Sequence, residues 1–221
     1  MPSAREAPEM RELILARFEE RELQRRPGIH ASDLDMCLGK AFYRKTARLP
    51  TPADLMFRFM LGFALQFYIL GVPEEEMECE GVLMSVDAPV DGSYLEFKST
   101  AEWFQTAKWG TYTPLKKSHW MRRAMMYCHA RGVDFCYIAV MFYSQRPKPD
   151  LVVWRVEFTG LEIADNWGLT LTKKASLEKA LKELRYPDND YHEEWECGMC
   201  ENNIPGRCYG RGPAPDYDKW Q

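Results

Sequence analysis

The residues best able to do chemistry sit in one short stretch, SVDAPVDGSYLEFKST, residues 85–100. It reads as a β-hairpin, yet it carries Asp87, Asp91, Glu96 and Lys98. Side chains alternate across a strand, so Glu96 and Lys98 face one way with Tyr94, and Leu95 and Phe97 face the other. Asp91-Gly92 is a strong short-range turn signal, and a turn there brings Asp87 close to opposite Glu96. Neighbouring carboxylates raise each other's proton affinity, and a divalent cation relieves the repulsion. Oxygen ligands of this kind suit Mg2+ or Mn2+. A lysine two residues on can orient a water or stabilise charge developing at phosphorus. The set is a workable phosphodiester-hydrolysing site, although Glu-x-Lys on a surface strand can also be a simple salt bridge. Asp87 and Asp91 both stand as candidates for the second acid; Asp87 is preferred, because the turn chemistry of Asp-Gly already accounts for Asp91.

The cysteines are the second group. The tail holds Cys197-x2-Cys200, and Cys208 follows. Such a trio is a metal or cluster half-site that lacks a fourth ligand. Cys37, in DLDMCLGKAFYRK, is the best candidate for it. A buried thiol at Cys37, and a zinc knuckle completed by His192 or left incomplete, are the alternatives. Spacing does not separate zinc from iron–sulfur. Cys79, Cys128 and Cys136 fall within strand or helix patterns and read as small core residues.

The elements that must position these groups follow from periodicity. Residues 4–26 read as a charged amphipathic helix with Leu13, Ile14, Phe18 and Leu23 at helical spacing. A second helix spans about 32–47, N-capped by Ser32 and carrying Cys37. A third, about 53–70, is strongly apolar and expected to be buried. Strands are expected at 77–88 and 93–99, a helix at about 114–131, and strands at 135–144 and 151–159. A long helix over about 160–185 leads into a tail, 186–221, with little apolar periodicity. The tail has nothing to hold it unless something cross-links it. Mixed helices and strands in this order imply an α/β domain with helical flanks.

Composition narrows the class. The chain has 221 residues, 46% hydrophobic and 13% aromatic, enough for a real core. No run of about 18 apolar residues exists; the best, 55–71, is interrupted by Arg58 and Gln66. The first residues alternate charges without a signal-peptide core, so a cytoplasmic setting is the expectation. A net charge of −4 is not that of a purely electrostatic DNA binder. One local patch runs the other way: residues 108–131 hold three Lys and three Arg, no acid, and interleaved aromatics. Seven Cys without an export signal argue for metal binding or buried thiols rather than disulfides.

Taken together the motifs resemble the PD-(D/E)XK nucleases, and within them the iron–sulfur RecB-like nucleases. That group includes the Cas nuclease of CRISPR adaptation, the AddB nuclease domain and phage-encoded relatives. The resemblance rests on Asp87, Glu96-x-Lys98, one upstream cysteine in SDLDMCLGKAFYRK and three cysteines near the C-terminus, and it covers about residues 30–210. It implies a restriction-endonuclease-like core at 51–185, with a central mixed sheet flanked by helices. Residues 1–50 and 186–221 would together build a subdomain around a [4Fe–4S] cluster held by Cys37, Cys197, Cys200 and Cys208. Asp87 and Glu96 would bind Mg2+ or Mn2+, with Lys98 as the catalytic lysine. The family usually places a metal-binding His on the preceding helix; this chain has Gly62-x3-Gln66. The family's Gln-x3-Tyr becomes Arg123-x3-Tyr127, where Tyr127 fits and Arg123 can bind phosphate.

The activity implied is a metal-dependent exonuclease on single-stranded or end-containing DNA, in a bacterial, archaeal or phage-infected cell. Lys116, Lys117, Arg122 and Arg123 would grip the backbone, and Trp103 and Trp109 would stack on bases or cover the sheet. The alternative is a catalytically weakened DNA-binding module. An integrase, helicase or recombinase partner and a homo-oligomer are compatible with either.

Overall fold

The structure is a computed structural model. It describes residues 8–22, 27–47, 49, 51–90, 92–102, 105–106, 110–144, 148–198, 200–204 and 207–208. Asp91, Trp103, Trp109 and Leu23 lie outside the described residues.

Helix α1 is Pro8–Glu22, and the two-residue strand β1, Ile29–His30, leads straight into α2, Ala31–Leu34. Helix α3, Leu38–Thr46, follows. The single helix expected over 32–47 is thus broken, and Cys37 stands at the break as the extended N-cap of α3 (φ −62°, ψ 123°). Ser32 is not the cap. Helix α2 starts one residue earlier, after His30, whose N–H donates to the Asp33 carboxylate at 3.0 Å.

Helix α4 spans Ala53–Leu70 and ends at Gly71 in the left-handed region (φ 64°). Its expected burial is wrong. Met56 is buried against Leu15 and Phe18 of α1, but Phe57, Phe59, Leu61, Phe67 and Tyr68 are exposed. Apolar residues all round a helix need cover on every side, and here α1 and the strand at Ser93–Thr100 cover only part of it. On α1 the buried pair is Leu15 and Phe18, and Leu13 and Ile14 point outward.

The strand expected over 77–88 is three strands: β2 Glu75–Cys79, β3 Val82–Val86 and β4 Ala88–Val90. Glu80-Gly81 forms a tight turn between the first two, with positive φ at both residues (47° and 74°). Antiparallel strands joined by two residues prefer this geometry because its twist matches theirs. Strand β3 alternates buried and half-buried residues, with β1 parallel on one side and β2 antiparallel on the other. The chain then crosses at Asp87 into a second sheet. There β5, Ser93–Thr100, pairs antiparallel with β4.

After β6, Gln105–Thr106, and β7, Gly110–Thr111, a 3-10 turn at Pro114–Lys116 precedes α5, Ser118–Arg131. Strands β8, Phe135–Phe142, and β9, Asp150–Glu157, complete the second sheet in the order β4-β5-β8-β9. β5 and β8 are parallel, and β8 and β9 antiparallel. Strand β8 is central, and Ile138, Val140 and Phe142 are fully buried. Each such side chain contributes roughly 1.5–3 kcal/mol of transfer free energy. Helix α6, Gly160–Glu183, begins with a capping box between Thr159 and Glu162 and packs against α5 and α3. A last helix, α7, covers Glu194–Gly198. No helix is long and apolar enough to cross a membrane among the described residues. One buried core takes in Leu34, Leu38 and Phe42, strands β3, β5 and β8, and Trp167 and Leu177 of α6.

Candidate active site

Asp87 occupies the crossing between the two sheets. The β4–β5 register pairs Ala88 with Leu95, so the next position along sets Asp87 against Glu96. Asp87 leaves the ladder there, and its carboxylate accepts the Phe97 N–H at 2.5 Å in place of a backbone partner. Glu96 and Lys98 project from β5, and the Lys98 ammonium donates to Glu96 Oε1. Both acids are buried and Lys98 is partly so. Helix α4 brings Gln66, whose Nε2 donates to Asp87 Oδ1 and to Glu74 Oε1, each at 3.1 Å. Helix α5 brings Arg123 and Tyr127, one turn apart and so on the same face.

These side chains line one open cleft of about 200 Å³, together with His30, Ser32, Phe63, Glu74 and Ser85. Among the sequence-derived candidates, Gln66, Asp87, Glu96, Lys98, Arg123 and Tyr127 come together in it. Lys116, Lys117 and Arg122 do not line it. Lys116 is exposed, and Lys117 pairs with Glu102 at 2.7 Å. Arg122 is spent internally, donating to the Asp35 backbone oxygen at 2.9 Å and to Glu193 at 2.6 Å.

Arg123 is held from behind. Its Nε donates to Asp35 Oδ2 at 2.7 Å, and its Nη1 stands 3.9 Å from Glu96 Oε1. Asp35 is completely buried. Removing one member of a buried pair leaves the other charge uncompensated, which is costlier than the pair is favourable. Arg123→Ala is therefore expected to lower the unfolding free energy by about 3 kcal/mol, read as an earlier urea midpoint. Arg123→Lys recovers only part, because an ammonium cannot present the guanidinium fork. An unchanged midpoint in Arg123→Ala would show that Asp35 needs no partner.

Sequence reasoning missed two acids of this site. Glu74 opens a Glu-Glu-Glu run at 74–76 that could have drawn notice. Asp35 lies two residues before Cys37, in a segment read for its cysteine.

The donors fit a hard divalent cation. Burial and then the Glu96 charge push the Asp87 carboxyl up to about 7, against the pull of Lys98 and the Phe97 N–H. Glu96 Oε2 is buried with no hydrogen-bond partner among the described residues. Two buried carboxylates, one with an orphaned oxygen, remain short of positive charge even with Lys98 and Arg123 beside Glu96. Gln66 also carries a carbonyl oxygen able to bind such an ion.

A second cavity is lined by Cys37, Cys197, Cys200 and Cys208 with Gly39, Lys40, Glu196, Asn202 and Asn203. All four thiols are buried and none is in a disulfide. Burial pushes the Cys37 thiol up to about 12 and also raises Cys197 and Cys200. The tail is fastened around them by backbone bonds. Leu38 N–H donates to Asp190 O at 2.7 Å and Cys208 N–H to Asn202 O at 3.2 Å. The Asn203 amide donates to Cys197 O at 3.1 Å. Tyr186 Oη lies 2.9 Å from Asp190 Oδ2 and 3.5 Å from Cys208 Sγ. A Cβ on Gly39 would come within 2.1 Å of that hydroxyl, so only glycine fits beneath it. His192 does not line the cavity; its Nδ1 stands 2.7 Å from Asp190. Four thiols lining one cavity are, by their chemistry, a donor set suited to a soft metal or an iron–sulfur cluster.

A mixed sheet with one parallel pair at its centre, helices on its flanks and the acidic crossing at its edge define a restriction-endonuclease-like α/β fold. Among solved structures, that of SSO0001 is similar over 90% of this chain and 96% of its own, with 14% identity and a TM-score of 0.54, a likeness of fold. Two structures of an alkaline exonuclease, LHK-Exo from Laribacter hongkongensis, align at lower scores. The first has a TM-score of 0.45 at 15% identity, over 71% of this chain and 91% of its own. The second, in complex with dAMP, has a TM-score of 0.43 at 16% identity, over 79% and 95%. No protein-family model and no curated protein matches the sequence.

Proposed function

We propose that this chain is a Mg2+- or Mn2+-dependent deoxyribonuclease acting on single-stranded DNA or DNA ends. The observation that carries the reading is the convergence of Asp87, Glu96 and Lys98 in one cleft, with Glu96 Oε2 left without a partner. Asp87, Glu96 and Gln66 would hold the cation. A bound cation supplies Lewis acidity toward the phosphoryl oxygen and lowers the pKa of a bound water.

The chain's own groups do the rest. The Phe97 N–H fixes the Asp87 carboxylate, and Lys98 fixes Glu96, so neither acid has to reorganise when substrate arrives. The Lys98 ammonium, held beside Glu96, would face the negative charge developing on a phosphodiester that approaches the acids. Arg123, anchored by Asp35, would add a second positive charge to the cleft, which Tyr127 also lines. Lys116 and Lys117 lie on the outer surface before α5 and would meet the DNA backbone, a weaker, salt-sensitive contact. The four-cysteine cavity would hold a [4Fe–4S] cluster that joins residues 1–50 to the tail at 186–221.

The test is degradation of 5′- and 3′-labelled single and double strands across a titration of Mn2+ and of Mg2+. Metal-dependent loss of label, faster on single strands, is the expected result. Gln66 supports a second reading, since it stands where the family has histidine and its N–H already bridges two acids. If the protein binds DNA but never cuts it in either metal, it is a DNA-binding module with a weakened site.

A further inference from the structure

Away from the cleft, Cys79, Glu80 and His129 place one ligand atom each within 4.8 Å of one another. We propose that these three residues form a second metal site that takes zinc, with water in the fourth position. A thiolate, an imidazole and a carboxylate together are a zinc donor set, and three protein ligands leave tetrahedral zinc one open place.

Three observations support it. Glu80 is the first residue of the β2–β3 turn and has positive φ (47°), a position normally held by Asn, Asp or Gly. A glutamate at a disfavoured backbone position points to a use for its side chain. Trp167 of α6 orients two of the three ligands. Its Nε1 donates to Glu80 Oε2 at 2.5 Å, and its ring stacks on His129 with centroids 4.3 Å apart and planes at 15°. Outer partners of this kind hold metal ligands in position. Neither the Cys79 thiol nor the His129 ring makes a hydrogen bond among the described residues. Lys174, beside Gly81, is paired with Glu178 at 2.7 Å. The ion would pin the β2–β3 turn to α5 and, through Trp167, to α6.

The experiment uses the full chain, purified with its cysteine cavity as it comes, and zinc alone as the probe. Bound zinc after equilibrium dialysis and the zinc-dependent rise in Tm are compared for wild type, Cys79→Ser, Glu80→Gln and His129→Gln, with Cys37→Ser as control. Circular dichroism verifies the fold of each; Glu80 is exposed, so Glu80→Gln keeps the test interpretable even where another variant fails to fold. The expected result is one zinc fewer per chain and at least a tenfold weaker affinity in each of the three variants, with this zinc retained in Cys37→Ser. Equal zinc content and affinity in Glu80→Gln and wild type, or zinc lost only in Cys37→Ser, overturns the proposal. The proposal does not depend on nuclease activity.

Discussion

Lys98→Ala is expected to abolish metal-dependent cleavage of labelled DNA while leaving the fold and the four-cysteine cavity in place. The expected loss is about 10²–10³-fold in single-turnover rate, the usual effect of removing one preorganised group that stabilises transition-state charge. The fold should survive because the β5 backbone, not the Lys98 side chain, makes the ladder with β8. Arg123 also remains 3.9 Å from Glu96 to share its charge. A general electrostatic role would let Lys98→Arg restore most of the rate. A positioned ammonium would not be restored, because the planar guanidinium cannot occupy the same point against Glu96 Oε1. Undiminished cleavage in Lys98→Ala would remove Lys98 from the mechanism, whatever became of the metal.

Cys200→Ser is expected to have the largest effect on stability. Cys37 and Cys208 lie at opposite ends of the chain, so a group ligated by both closes a very long loop. Closure on that scale is worth about 3 kcal/mol or more in a chain-entropy account. With the proposed [4Fe–4S] cluster in that cavity, iron and sulfide content should fall, its visible absorption should vanish, and the segment after α6 should become sensitive to protease. The bonds from Leu38 to Asp190 and from Asn203 to Cys197 remain, so the tail loosens rather than departs at once. A colourless, zinc-replete wild-type protein would refute the cluster while leaving the four-cysteine cavity as a zinc site.

Much of the site was legible because its signals are local. Alternation along β5 sets Glu96 beside Lys98, and an antiparallel register sets Asp87 opposite. Both follow from a strand's period of two. The crossing at Asp87 was not legible. A run such as 77–88 keeps its apolar character on both sides of the Glu80-Gly81 turn, and a turn with Glu in first place gives little warning. The exposure of α4 was hidden for a different reason. Composition reports how apolar a helix is, not how much of the molecule lies beside it. Asp35 was missed because its role depends on Arg123, far off in sequence, and no spacing rule joins them. The convergence of Cys37 with the tail is equally long-range. It was anticipated because the tail trio lacks a fourth ligand and because the resemblance to iron–sulfur nucleases pairs one upstream cysteine with three near the C-terminus.

The sparse cover of α4 has an energetic consequence for the cleft it borders. The main core contains none of its residues; α4 joins a separate cluster around Leu15, Phe18 and Met56. Gln66 is thus carried by an element whose detachment would cost far less than global unfolding. The two carboxylates belong to the well-packed sheet, so the cleft is bordered by one densely packed element and one sparsely packed one. Any group bound between Gln66 and Asp87 couples the two, and its binding free energy is partly spent in holding α4 closed.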